Sequence, residues 1–297
     1  MNRWILASRP RTLPAAAVPV WVGSTLAIAR DGFELVAAGL CLGFALLIQV
    51  GTNFANDYAD FEKGADSESR IGPPRAVAMG LIDPGTMKRA TLLVLLAAFG
   101  LGLGLIPYGG VWLVVVGVSS VVFAYAYTTG PYPLAYLGLG DVFVICYFGL
   151  IAVGVTEYVQ TGSFSLSGWA LGLGVGLMTN NLLVVNNYRD AEEDAKVGKK
   201  TLVVRLGRPL ALRQYQLSGY VAVGLAVVTA LWEGWFLVLP VMVVAVRVRC
   251  DSLALAAATT AEDYGGVLAR TVRRLLLYGG VLGGGILLSK LVLQGNG

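Results

Sequence analysis

Residues 35–60 read LVAAGLCLGFALLIQVGTNFANDYAD, and residues 166–190 read LSGWALGLGVGLMTNNLLVVNNYRD. Each stretch begins with about 20 mostly apolar residues, the length that an α-helix needs to cross a bilayer. Each then ends in the pattern Asn-[Asp/Asn]-Tyr-x-Asp, with copies that begin at Asn56 and Asn186. The two stretches therefore predict a pair of membrane helices that carry similar polar motifs at the same end, as a parallel internal repeat.

The composition of the whole chain agrees with a membrane protein. Of 297 residues, 56% are hydrophobic and 13% are charged, with a mean hydropathy of +0.71. Because soluble domains carry about 25% charged residues, this composition excludes a soluble globular enzyme and a disordered chain. The chain has no histidine, so no imidazole base or ligand is available, and Cys41, Cys146 and Cys250 are too far apart for a CxxC site.

The pattern of apolar runs predicts an all-α, polytopic membrane protein that forms one domain over residues 1–297. A run over 90–140 is too long for one helix, and the turn signal at 106–110 divides it. The resulting prediction is about nine transmembrane helices, over 12–29, 34–55, 89–106, 110–128, 140–157, 165–187, 211–231, 234–249 and 271–292.

The basic residues predict the orientation. With the N-terminus in the cytoplasm, all of the 22 Lys and Arg residues except Arg30 and Lys290 lie on the cytoplasmic side. This distribution follows membrane topology, so the formal net charge of +4 does not indicate nucleic-acid binding. The sequence therefore predicts a protein of the cytoplasmic membrane whose two polar motifs face the cytoplasm, and no feature predicts an obligate protein partner.

The paired motif predicts a metal and diphosphate site. In the second copy Asn186, Asp190 and Asp194 have the i, i+4, i+8 spacing of one helix face; in the first copy Gly64 stands in the third place and Asp66 follows it. Clusters of carboxylate and amide oxygens suit Mg²⁺, which is commonly shared with substrate phosphates. Basic residues nearby could neutralise a diphosphate further. An apolar cavity below such a site would suit an isoprenyl diphosphate.

Other interpretations of these features remain open. Charged segments after membrane helices commonly act as solvated topology anchors. A transporter would also combine internal repeats with polar residues, although its binding site usually lies near the middle of the membrane. Release of diphosphate that requires an aromatic acceptor would favour a transferase.

The chain resembles the UbiA superfamily of intramembrane prenyltransferases almost from end to end. The resemblance is carried by the blocks at 9–14, 56–66, 70–75, 87–90, 129–133, 138–142 and 186–207. Within the superfamily, the first motif resembles that of the branch that prenylates dihydroxynaphthoate. Its third acid is Asp66, and position 64, where other branches carry an acid, is glycine; the block Arg70-Ile-Gly-Pro-Pro-Arg75 is also similar to that branch.

This resemblance implies nine helices around a central cavity and Mg²⁺ held by the two motifs. The implied ligands are Asn56, Asp60, Asp66, Asn186, Asp190 and Asp194, with Asp57 a weaker candidate because Asn187 stands at its counterpart. The catalytic acids among them would be Asp60, Asp190 and Asp194. The implied reaction joins polyprenyl diphosphate to dihydroxynaphthoate with loss of diphosphate and CO₂. A phytyl donor, or homogentisate or 4-hydroxybenzoate as acceptor, is the alternative within the superfamily.

Further substrate contacts are hypotheses from position in the sequence. Arg70, Arg75, Lys196 and Lys199 lie close to the motifs and are candidates for diphosphate binding. Arg11, at the start of a helix that proline interrupts, could bind the acceptor carboxylate or could anchor the topology. Asp141 could belong to the site or could cap the helix that it begins.

Overall fold

The computed structural model of the chain describes residues 2–65, 71–236 and 238–295. Within these ranges every regular element is a helix, which confirms the predicted all-α class. The helices are α1 (Arg3–Ser8), α2 (Pro14–Ala29), α3 (Leu35–Glu62), α4 (Pro84–Leu103), α5 (Ile106–Gly109), α6 (Leu113–Ala126), α7 (Leu134–Leu137), α8 (Gly140–Ile145), α9 (Ala152–Thr161), α10 (Leu166–Lys196), α11 (Leu202–Leu206), α12 (Arg208–Glu233), α13 (Val238–Ala257) and α14 (Ala261–Gly295). A π-helical turn, Cys146–Ile151, joins α8 to α9.

Six of the helical segments in the described ranges are long and apolar enough to cross a membrane. They are α3, α4, the continuous α8–α9 segment, α10, α12 and α14. The segment that contains α1 and the segment α2 meet at a bend of 49°, and they add a seventh span if the two together count as one. The predicted spans at 110–128 and 234–249 correspond to α6, which has 14 residues, and α13, which carries three charged residues. Nine spans therefore remain a prediction, whereas the integral membrane character is clear.

The two motif-bearing helices are longer than the hydrocarbon core of a bilayer and end in the same way. At 1.5 Å per residue, α3 and α10 are about 42 Å and 46 Å long, compared with about 30 Å of hydrocarbon. Gly64 and Gly198 follow them with left-handed φ angles of 70° and 75°. In each case the next residue donates its N–H to an aspartate carbonyl five residues earlier, the Schellman pattern of helix ends. We call this end of the molecule the motif face.

Three apolar cores surround the helices that carry the motifs. The largest joins α2, α10, α12, α13 and α14, a second joins α1, α3 and α4, and a third joins α2, α3, α6 and α9. Close backbone contact holds α10 against the π-helical turn, because a Cβ atom added to Gly149 would lie 2.5 Å from the Gly172 carbonyl oxygen and 2.6 Å from the Gly176 Cα atom. The run Gly172–Gly176 thus serves helix packing, as small residues do in membrane helices.

Candidate active site at the motif face

A cavity of about 260 Å³ lies between α2, α3, α6, α8–α9 and α10. At the motif face its wall includes Arg9, Asn56 and Asn186, and towards the opposite face it is lined by apolar residues such as Leu105 and Leu113. The cavity therefore joins a polar mouth to an apolar interior, which is the arrangement that an amphiphilic substrate requires.

Aromatic side chains close one side of this cavity. Phe123 of α6 lies 4.7 Å from the ring of Phe143 and 5.6 Å from that of Tyr147, measured between centroids, and all three residues line the cavity. These contacts cross from α6 to the segment that contains α8 and the π-helical turn. The interior is consequently bounded by aromatic faces as well as by aliphatic side chains.

The two motifs meet at the ammonium group of Lys199. Its Nζ atom lies 3.0 Å from Oδ1 of Asp60 and 3.4 Å from Oδ1 of Asp194, and both aspartates are buried. Asp60 and Asp194 are also the two residues whose carbonyl oxygens accept the Schellman hydrogen bonds at the ends of α3 and α10. The helix ends add negative potential there, so this position favours a cation.

Further cations surround Asp60. Nη2 of Arg75 lies 3.2 Å from Oδ2 of Asp60, and the Tyr136 hydroxyl donates a hydrogen bond of 3.4 Å to Oδ1. The ammonium groups of Lys63 and Lys199 lie over the Tyr136 ring, 4.3 Å and 5.0 Å from its centroid. Burial, together with the charge of Lys199, lowers the pKa of Lys63, whereas Asp60 opposes this shift.

Asp57 and Asn56 occupy different environments although they are adjacent. The oxygens of Asp57 accept hydrogen bonds from the backbone N–H groups of Val77 at 2.9 Å and Ala76 at 3.2 Å, so this buried carboxylate holds the segment after the motif. Asn56 lines the cavity, and its Oδ1 atom accepts a hydrogen bond from the Thr128 hydroxyl. The structure therefore gives Asp57 a clear role in organising the backbone.

Asp190 lies beside a second, smaller pocket. Its carboxylate accepts hydrogen bonds from Nε and Nη2 of Arg189 at 2.6 Å and 2.7 Å, and both residues line a pocket of about 210 Å³ that also includes Glu192 and Tyr264. Asp190 nevertheless lies close enough to Asp194 to interact with it electrostatically. Asn186, one turn earlier in α10, faces the main cavity.

The remaining predicted contacts are dispersed. Asp141 is buried and its Oδ1 atom accepts hydrogen bonds from Asn180 at 2.9 Å and Gln214 at 2.6 Å, which ties α8 to α10 and α12. Lys196 is exposed and pairs with Glu193 at 2.7 Å. Asp66 and Arg70 lie outside the described residues.

Arg9 lines the cavity, whereas the predicted Arg11 is exposed and does not contribute to the part of the wall that the structure describes. Arg9 adopts a left-handed conformation, with φ of 49° and ψ of 68°, at the break between α1 and the 3-10 turn Pro10–Thr12. The sequence signals a break through the proline that follows Arg9, but it does not reveal which of the two arginines enters the cavity.

Comparisons with known proteins agree with this architecture. The profile of the UbiA prenyltransferase family matches residues 16–264. The 1,4-dihydroxy-2-naphthoate octaprenyltransferase of Haemophilus influenzae is 40% identical over 220 residues, which cover 70% of each chain, and the enzyme of the same name from Escherichia coli is 36% identical over 218 residues, 71% of each chain. The structure of a UbiA homolog from Archaeoglobus fulgidus bound to DMAPP and Mg²⁺ superposes with a TM-score of 0.63 at 14% identity, covering 95% of this chain and 99% of that one. This last likeness concerns the fold.

Proposed function

The chain belongs to the UbiA prenyltransferase family, and on that premise we propose that it transfers a polyprenyl group from a polyprenyl diphosphate to 1,4-dihydroxy-2-naphthoate. Diphosphate and CO₂ would leave, and a demethylmenaquinol would form as a step of menaquinone synthesis. The observation that carries the proposal is the apolar cavity whose polar mouth adjoins acidic residues of two motifs, Asp60 and Asp194. The names of the relatives supply the acceptor.

The donor would lie along the cavity, with its prenyl chain in the apolar interior and its diphosphate at the mouth. Lys199 and Arg75, which contact Asp60, would pair with diphosphate oxygens. When the bond between the prenyl carbon and the diphosphate oxygen breaks, an allylic cation develops inside a cavity lined by Phe143 and Tyr147. Aromatic faces stabilise cations, and the apolar walls exclude water that would otherwise capture the cation.

The oxygen donors around Lys199 suit Mg²⁺, which we propose as the cofactor. Lys199 demonstrates that one cation is shared by carboxylates of both motifs, although no three acidic side chains converge around one point within the described residues. The proposed ligand set is Asn56, Asp60, Asp66, Asn186, Asp190 and Asp194, without Asp57, whose oxygens bind backbone amides. When bound, Mg²⁺ would neutralise charge that develops on the departing diphosphate.

We further propose that the motif face is cytoplasmic and that the chain acts as one domain with two pseudo-repeats. The positive-inside distribution supports this orientation. The repeated helix ends at Gly64 and Gly198 support the pseudo-repeats. A soluble diphosphate product would then be released into the cytoplasm, while the prenylated product remains in the membrane.

Prenyl transfer by the detergent-solubilised protein tests the proposal. We expect product formation with dihydroxynaphthoate and Mg²⁺ and loss of activity in EDTA. Asp194→Asn should decrease activity by at least about 10-fold to 100-fold, the range that the loss of even an outer-shell partner of a metal ligand typically costs. Glu192→Gln, which changes an exposed acid half a turn away, is the matched control and should retain wild-type activity.

Different outcomes separate the parts of this proposal. Turnover with homogentisate or 4-hydroxybenzoate in place of the naphthoate would retain the fold and the reaction type but contradict the acceptor. Activity that is unaffected both by EDTA and by Asp194→Asn would contradict the metal site.

A further inference from the structure

The wall of the main cavity carries almost no formal charge. Among the described residues that line it, Arg9 is the one ionisable side chain with a charge at neutral pH, and the others are apolar, hydroxyl-bearing or amide-bearing. Arg9 therefore gives this cavity one positively charged recognition group, and a guanidinium suits a ligand with a single carboxylate.

The backbone around Arg9 fixes the position of this cation. The Arg9 carbonyl oxygen accepts hydrogen bonds from both the backbone N–H and the hydroxyl of Thr12, at 2.9 Å and 3.0 Å, and the Arg9 N–H donates to Leu6. A left-handed conformation is unfavourable at a residue other than glycine. The fold maintains this conformation, and the Nη2 atom of Arg9 is buried.

Polar groups that could recognise a hydroxylated ring lie beside Arg9. The Thr12 hydroxyl accepts hydrogen bonds from Gln49 at 3.2 Å and Asn53 at 3.0 Å, and Asn53 also donates to the carbonyl oxygen of Ser8 at 2.9 Å. Thr12, Gln49 and Asn53 all line the cavity. This network anchors the break after α1 to α3 and holds amide groups at the same end of the cavity as the guanidinium.

We propose that Arg9 binds the carboxylate of the aromatic acceptor. This inference rests on the proposed function, because it assumes an aromatic acid as acceptor. A planar guanidinium pairs with a carboxylate through two parallel hydrogen bonds, whereas the larger charge of a diphosphate would be met by Lys199 and Arg75, which both contact Asp60. Arg9 also interacts electrostatically with Asp60, so a ring held by Arg9 lies next to the diphosphate end of the donor.

Binding of unreactive ligands tests this assignment without catalysis. The probes are 1-hydroxy-2-naphthoate, which has the carboxylate, 1-naphthol, which lacks it, and Mg²⁺ with inorganic pyrophosphate. We expect the wild type to prefer the carboxylate-bearing probe, and Arg9→Met to weaken that probe's binding about 10-fold to 100-fold while leaving the naphthol and pyrophosphate affinities unchanged. Arg9→Lys, which keeps the charge but not the planar fork, should show an intermediate loss.

The remaining outcomes overturn the proposal. If Arg11→Met abolishes the preference and Arg9→Met does not, the exposed arginine is the carboxylate ligand. If Arg9→Met weakens pyrophosphate binding as much as naphthoate binding, Arg9 belongs to the diphosphate site. If the wild type forms product but shows no preference for the carboxylate, Arg9 has no such role although the proposed function stands. Naphthol binding shows that each variant is folded.

Discussion

At the scale of single residues, the acids of the two motifs are distinguished by the helix ends on which they lie. The sequence repeat aligns Asp60 with Asp190, but the helix ends align Asp60 with Asp194, because α10 continues one turn further before its glycine. Carboxylates near a helix C-terminus are unfavourable without a cation. This explains why Lys199, the residue directly after Gly198, contacts both aspartates.

Removal of Lys199 should therefore destabilise the protein. Lys199→Met would leave two buried carboxylates without their shared cation. Breaking a buried ion pair in this way costs about 3–5 kcal/mol in the free energy of unfolding. We expect the lower end of this range, because Arg75 still neutralises Asp60. Thermal unfolding in detergent would measure the change. The control, Lys196→Met, alters an ammonium that is 66% exposed and should leave the free energy of unfolding nearly unchanged. Equal effects of the two substitutions would contradict the bridging role.

Asp57 should affect stability without affecting metal binding. Asp57→Asn replaces one of the two oxygens that accept hydrogen bonds from the N–H groups of Ala76 and Val77 with an amide NH₂ group, which can only donate. The expected cost is about 1–3 kcal/mol. Thermal unfolding together with titration of Mn²⁺ as a spectroscopic probe would separate the two properties. A large loss of Mn²⁺ affinity in a variant that melts like the wild type would instead make Asp57 a metal ligand.

At the scale of helices, the apolar runs predicted the starts of α3 and α10, at 34 and 165, because long apolar runs act locally. The predicted ends, at 55 and 187, fall short of the observed ends at Glu62 and Lys196, because both helices continue through their polar motifs to the following glycine. The direction of individual side chains could not be predicted in the same way. Whether Asp57 points to the backbone at 76–77, or Arg9 rather than Arg11 enters the cavity, depends on how segments far apart in the sequence pack. The 49° bend between α1 and α2 is a tertiary feature of this kind.

The contact between α10 and the π-helical turn should tolerate no added methyl group. In Gly149→Ala the new Cβ would meet backbone atoms of Gly172 and Gly176, which cannot move aside as a flexible side chain can, so we expect a loss of about 1–3 kcal/mol. Gly100→Ala is the matched control, since no atom lies within 4 Å of a Cβ at that position in α4 and the change should be neutral or stabilising by up to about 1 kcal/mol. Unfolding curves that coincide for the two variants would refute the close contact.

At the scale of the whole molecule, charge separates the two ends. Arg30 and Lys290, the two basic residues assigned to the side away from the motifs, lie close together in the fold. Nζ of Lys290 contacts the carbonyl oxygen of Ile28 and the carboxylate of Asp31, while Arg30 lies 3.1 Å from Glu157 and 3.3 Å from Glu233. Each cation is therefore paired where it lies, as the cost of placing charge near the hydrocarbon requires.

This separation of charge leads to a prediction about the number of spans. If α6 and α13 both cross the membrane, the chain has nine spans and its two ends lie on opposite sides. One of the three charges of α13 does not oppose insertion, because Asp251 pairs with Arg274 of α14 at 3.0 Å and both are largely buried; the other two, Arg247 and Arg249, are exposed and follow the apolar run of the helix. Fusions of green fluorescent protein after residue 80 or residue 200 should fluoresce, and alkaline phosphatase fused after residue 297 should be active, since each reporter works on one side of the membrane. A fluorescent fusion at residue 297 would require an even number of spans and would show that one of these two helices does not cross.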